Sequence, residues 1–161
     1  MPIDSGGIQV RPAGREPVHP SITEDQISDL VDRFYDRVWA DPRLGPIFSS
    51  RLENTREAHL VKMKTFWSSV LLRTGSYKGK PVPAHVRLRE VASADFEIWL
   101  GHFRPVANEV FTAAAAPLVI EAAERIASSL WLAMFGTPFL NSPDWQQNSR
   151  AAADLPEEGK P

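Results

Sequence analysis

At 161 residues, 43% of them hydrophobic, the chain is long enough for one domain with a single core and tails. A formal charge of −2, with both signs spread along the chain, marks neither nucleic acid nor an anionic membrane as a partner. The lack of cysteine excludes disulfides, thiolate-held zinc and iron–sulfur clusters, so any metal must be held by histidine, carboxylate, tyrosine or methionine.

Met1 to Pro20 contains no apolar run and does not read as a secretory signal. Eight of the fourteen prolines fall in residues 1–20 and 137–161, and both ends are expected to be flexible tails flanking a domain at 21–136. The longest stretch of apolar character, Val110 to Ile120, contains Pro117 and is too short to span a bilayer. A cytoplasmic protein is expected. Between the tails the periodicity is helical and strand signals are nearly absent, which predicts an all-α fold.

The first helix is predicted from about Glu24 to Ala40, capped by Thr23 with Gln26 or by Ser21 with Glu24. Ile27, Leu30, Val31, Phe34 and Val38 make its apolar stripe. Tyr35 falls at the edge of that stripe, where a ring packs inward and its hydroxyl seeks a partner. Asp41-Pro42 and Gly45-Pro46 read as a break, with Phe48 just beyond.

The next helix is predicted from about Asn54 to Arg73, stopping at Thr74-Gly75. His59, Met63, Phe66 and Val70 share one face of it, flanked by Trp67. Ser76 to Glu90, with one glycine and two prolines, reads as a loop. A further helix is expected from about Asp95 to Phe111, with Phe96, Trp99, Leu100 and Phe103 on one face and Pro105 as a bending fault. The last opens at Pro117, carries Val119, Ala122, Ile126, Leu130 and Ala133 inward, and stops near Gly136.

The chemistry centres on His85, at the end of Gly79-Lys80-Pro81-Val82-Pro83-Ala84. A lone loop histidine is ordinarily a surface or packing residue. Here the prolines free backbone carbonyls that would orient a neutral imidazole through its second ring nitrogen, as a metal ligand requires. Leu88, three residues on, would pack against a flat iron cofactor. His59 reads as a gate, as a second iron ligand, or as a buried histidine bonded to a carbonyl. The His59–Met63 spacing is not a zinc site, because a thioether is a poor zinc ligand and no His-Glu-x-x-His is present. Tyr35 and Trp99 would donate to a polar bound ligand in a low-dielectric pocket. By periodicity alone, an aromatic core whose polar tips reach solvent or backbone is the better account of them.

Five ordered motifs carry a resemblance. They are Phe34-Tyr35-Asp36-Arg37-Val38, then Asp41-Pro42-x-Leu44-Gly45-Pro46-Ile47-Phe48, then His59 with Phe66-Trp67. Gly75-x-Tyr77-x-Gly79-x-Pro81 with His85 comes next, and then Phe96-Glu97-Ile98-Trp99-Leu100. Over roughly residues 22–136 the chain resembles group III truncated haemoglobins. That resemblance implies a shortened globin, a two-over-two helical sandwich around haem b, with His85 as the proximal iron ligand. It makes Tyr35 and Trp99 distal donors, His59 the distal-helix histidine, Phe48 the ring wedged against the haem, and Met63 an apolar neighbour of the iron. Phe34, Phe66, Trp67 and Leu88 complete the expected cofactor contacts.

The expected function is binding of oxygen, nitric oxide and carbon monoxide for redox chemistry on the bound ligand, with nitric oxide dioxygenation or peroxide turnover as the candidate activities. Electrons would come from an external reductant. Two other readings stand beside it. One is a haem-based sensor or electron-transfer protein with His59 as sixth ligand. The other is a helical module without haem that binds an apolar ligand or a partner helix.

Overall fold

The computed structural model describes residues 16–52, 55–79 and 90–136. Among them are five helices and no strand: α1 (Glu24–Ala40), α2 (Leu44–Leu52), α3 (Arg56–Leu71), α4 (Asp95–Val110) and α5 (Ala116–Phe135). α1 packs on α2, α3 and α4, and α4 packs on α5, so the α1–α3 pair lies over the α4–α5 pair. This is the all-α, two-over-two arrangement expected. Among the described residues no helix is long and apolar enough to cross a membrane.

α1 begins where its cap dictates. Thr23 Oγ1 accepts the Gln26 N–H at 3.2 Å and Gln26 Oε1 accepts the Thr23 N–H at 3.0 Å, which selects that pair over Ser21 and Glu24. Glu24 and Asp25 in the first turn suit the positive end of the helix dipole. The stripe Ile27, Leu30, Val31, Phe34, Val38 is buried, and so is Tyr35.

The break expected after α1 is in fact the start of α2. Asp41 Oδ1 accepts the N–H groups of Arg43 and Leu44, each at 2.8 Å, and the Asp41 carbonyl accepts that of Gly45 at 2.8 Å. Pro46 then sits in the first helical turn, where the missing N–H costs nothing. Gly45 lets the two helices meet closely, since a Cβ there would lie 2.4 Å from the Trp39 carbonyl oxygen. Asp41 Oδ2 takes His102 Nε2 of α4 at 2.7 Å. The Leu44 N–H first, and His102 second, hold the Asp41 carboxyl below its usual range.

α3 turns differently about its axis from the expected orientation. Trp67, Ser68 and Leu71 are its buried residues, whereas His59, Met63, Phe66 and Val70 are half-buried. Trp67 is thus the core contact, and the other four form a border stripe. The helix ends at Leu71, and the chain leaves it through Arg73 and Gly75, both at positive φ. In α4, Pro105 does not interrupt the helix; it is exposed, as is Gly101 four residues before it, on the solvent side. α5 opens with Pro117 in its first turn, and of its expected stripe Ile126 is half-buried and Ala133 exposed.

Residues 16–20, expected in a flexible tail, are instead held: the Val18 N–H donates to the Leu71 carbonyl at 2.8 Å and Val18 packs on the core. The rest of that tail, the 137–161 tail, and residues 80–89 with His85 and Leu88 lie outside the described residues.

Candidate functional site

Between α2 and the α4–α5 pair lies a cavity of about 270 Å³. Leu44, Ile47, Phe48, Arg51 and Leu52 of α2 form one wall. Phe96 and Trp99 of α4 form the next, with Ile126, Ala127, Leu130 and Met134 of α5. His59 of α3, Val91 and Asp95 complete it. The lining is apolar apart from His59, Arg51, Asp95 and the indole of Trp99.

Behind this lining stands a second row of rings. Tyr35 is only 4% exposed and meets the His59 ring edge-on at 5.2 Å between centroids, and the Phe48 ring at 6.1 Å. Phe34 sits edge-on to Tyr35 and to Trp99, each at 5.0 Å, and Trp99 stacks on Phe103 at 5.5 Å. Phe34 therefore spaces the phenol from the indole. Burial pushes the Tyr35 phenol well above its ordinary range, so it keeps its proton past pH ~10, where an exposed phenol titrates. It therefore stays protonated, and able to donate a hydrogen bond, in an apolar place. The His59 Nε2 atom is shielded from solvent.

Of the expected site residues, the structure brings Phe48, His59 and Trp99 onto the cavity, with Tyr35 and Phe34 directly behind them. Phe66 and Trp67 lie elsewhere: Phe66 packs edge-on against Trp67 and Tyr77, and Trp67 lies against Phe103. Met63 is half-buried at the edge of the core and is not in the lining. Apart from Phe48, the α2 wall with its Arg51 was not anticipated, and neither was Asp95. Asp41, capping residues 43 and 44 ahead of a first-turn proline, was the available signal for α2.

An apolar slot with the half-buried Trp99 indole and an arginine in its lining, and the buried Tyr35 phenol behind it, suits a flat, largely apolar cofactor with charged edges. The slot and the helix pairs around it define a shortened globin. The bacterial-like globin family model matches residues 22–131. The group 3 truncated hemoglobin ctb of Campylobacter jejuni is 33% identical over 111 residues, covering 67% of this chain and 87% of that protein. The crystal structure of the group III truncated hemoglobin from Campylobacter jejuni superposes with a TM-score of 0.68 at 31% identity, covering 73% of this chain and 94% of that one. The chain belongs to the bacterial-like globin family, as a group III truncated haemoglobin. Globins are haem-binding proteins, so the reading as a helical module without haem is set aside.

Proposed function

We propose that the cavity holds haem b through His85, and that the protein binds oxygen, nitric oxide and carbon monoxide beneath Tyr35, Trp99 and His59. Bound there, haem supplies an iron that takes up a diatomic molecule and changes oxidation state. The observation that carries the reading is Tyr35, a buried and protonated phenol between the rings of two cavity-lining residues.

The chain's own groups do the rest. The Tyr35 hydroxyl and the Trp99 indole N–H donate to negative charge that gathers on a ligand, with no reorganisation needed at that moment. Phe48, Ile47, Leu130 and Met134 exclude water, which strengthens both donations. His59, against Tyr35, orients the phenol and narrows the approach. Two donors, each contributing about 1 kcal/mol, slow ligand release by roughly 30-fold, which favours redox chemistry on a retained ligand over bulk transport. The activities proposed are nitric oxide dioxygenation and peroxide turnover, in the cytoplasm, with electrons from an external reductant. The proposed haem-binding domain is 21–136.

Tyr35→Phe keeps the ring and removes the donor. It is expected to raise the oxygen dissociation rate of the haem-loaded protein about fivefold, read by stopped flow. An unchanged rate would remove Tyr35 from the ligand's surroundings.

The placement of His59 in the lining, with a shielded Nε2, favours a second reading: a sensor or electron-transfer protein in which His59 occupies the sixth position. That reading requires a six-coordinate ferrous spectrum that His59→Ala converts to a five-coordinate one. A five-coordinate spectrum in the unaltered protein excludes it.

A further inference from the structure

Two arginines of α2 and the turn before it reach to the chain that enters α4. Arg43 donates Nε to Asp95 Oδ1 and Nη2 to Asp95 Oδ2, each at 2.9 Å, and Nη2 also donates to the Glu90 carbonyl at 2.8 Å. Arg51 donates Nε and Nη2 to Glu90 Oε1 at 3.0 and 2.6 Å. Asp95 Oδ2 accepts one more bond, from the Ala92 N–H at 2.7 Å. Residues 90–95 are thereby tied to α2 at both ends.

The Arg43–Asp95 pair is unlike the exposed arginine–carboxylate pairs elsewhere on the protein. The Asp95 side chain is 5% exposed and lines the cavity, while Arg43, 48% exposed, covers it from the solvent side. Arg33–Asp29 and Arg37–Glu109 have both partners exposed and lie outside the lining. A carboxylate in an apolar wall is costly unless it is paired and fully bonded, and an apolar residue would fill the same space without that cost. A two-pronged guanidinium–carboxylate pair fixes direction and register, which an apolar contact does not. The segment it fixes begins five residues after His85.

We propose that the Arg43–Asp95 fork, with Arg51–Glu90 beside it, is a latch that holds residues 90–95 to the α2 wall and thereby sets how the chain presents His85 to the cavity. Arg43 and Asp95 are positioning residues, acting on the iron ligand through the backbone that joins them to it. The inference rests on the reading of His85 as that ligand.

The test uses full-length protein loaded with haemin, comparing Arg43→Gln, Asp95→Asn, the double variant, and Arg33→Gln as an exposed ion-pair control. The iron–histidine stretching band of the reduced protein is read by resonance Raman, and haem loss by transfer to an apoglobin acceptor. Each latch variant is expected to shift the band and to speed haem loss roughly 10-fold, the smaller of the effects typical of losing a partner that orients a metal ligand. The double variant is expected to match the single ones, because one interaction has been removed twice. Asp95→Glu, which restores a carboxylate, is expected to recover most of the band position.

An unshifted band with unchanged haem loss overturns the latch, as does a response equal to that of Arg33→Gln. Should Asp95→Asn fail to fold, Arg43→Gln breaks the same fork from its exposed end and decides the matter. A histidine band that persists in His85→Ala points instead to failure of the ligand assignment. That result is separable from a latch failure seen with His85 intact.

Discussion

Phe34→Ala is expected to destabilise the protein by about 3–5 kcal/mol, the range for emptying a packed aromatic site. Phe34 is 1% exposed, and its ring meets Tyr35, Trp99 and Phe103 edge-on at 5.0, 5.0 and 5.3 Å. Removing it loses the buried area, leaves a void, and forfeits three ring contacts of about 0.5–1.5 kcal/mol each, terms that overlap rather than add. At roughly 2–4 °C per kcal/mol for a chain of this size, the apoprotein's unfolding midpoint falls by roughly 6–20 °C. Phe34→Leu keeps most of the volume and should cost less. The variant also bears on function, because Tyr35 and Trp99 lean on the same ring. With that ring gone both donors are free to move, so ligand release from the haem-loaded variant should quicken although neither donor was changed. A midpoint within about 2 °C of the unaltered protein's would show that Phe34 does not brace the two donors.

That bracing could not be read locally. Phe34 and Tyr35 were legible as a stripe and its edge, because the Thr23 cap and the spacing of Ile27 to Val38 agree on one helix. Their meeting with His59 and Trp99 depends on how three helices pack, and spacing within one helix carries no information about that. α3 illustrates the limit from the other side. Its half-buried stripe and its buried face are adjacent and both apolar, so periodicity finds a helix without saying whether Phe66 or Trp67 turns to the core. α2 was hidden by its prolines. Asp41-Pro42 and Gly45-Pro46 are good turn formers, and only the Asp41 side chain bonding forward to residues 43 and 44 makes the same letters a helix start. With α2 unread, its wall of the cavity went unread too, apart from Phe48. Arg51 and Asp95 are common residue types far apart in the chain, and nothing short of the fold brings them together.

The second large effect concerns the proposed iron ligand. His85→Ala is expected to abolish the imidazole-ligated spectrum of the haem-loaded protein and to speed haem loss. The loss should be at least as large as the roughly 10–100-fold cost of removing a partner that merely orients a metal ligand. The chain has four histidines, and three have other places. His19 Nδ1 pairs with the Ser21 hydroxyl at 2.8 Å, in the segment before α1. His102 Nε2 pairs with the Asp41 carboxylate at 2.7 Å, outside the cavity lining. His59 lines the cavity, but on the side where Tyr35 stands as a donor, where a bound gas and not the protein's own iron bond would be stabilised. On the proposed reading the ligand is His85, whose proline-rich surroundings in the sequence suit a fixed ring better than a helix surface would. Imidazole added to the His85→Ala variant should restore the spectrum, because it fills the vacated coordination position without rebuilding the backbone. Absorption spectra of the ferric, ferrous and carbon monoxide-bound forms, with and without imidazole, decide the point. Should the His85→Ala spectrum match that of the unaltered protein while His59→Ala loses its imidazole band, the iron hangs from the other side and the roles of the two histidines are exchanged.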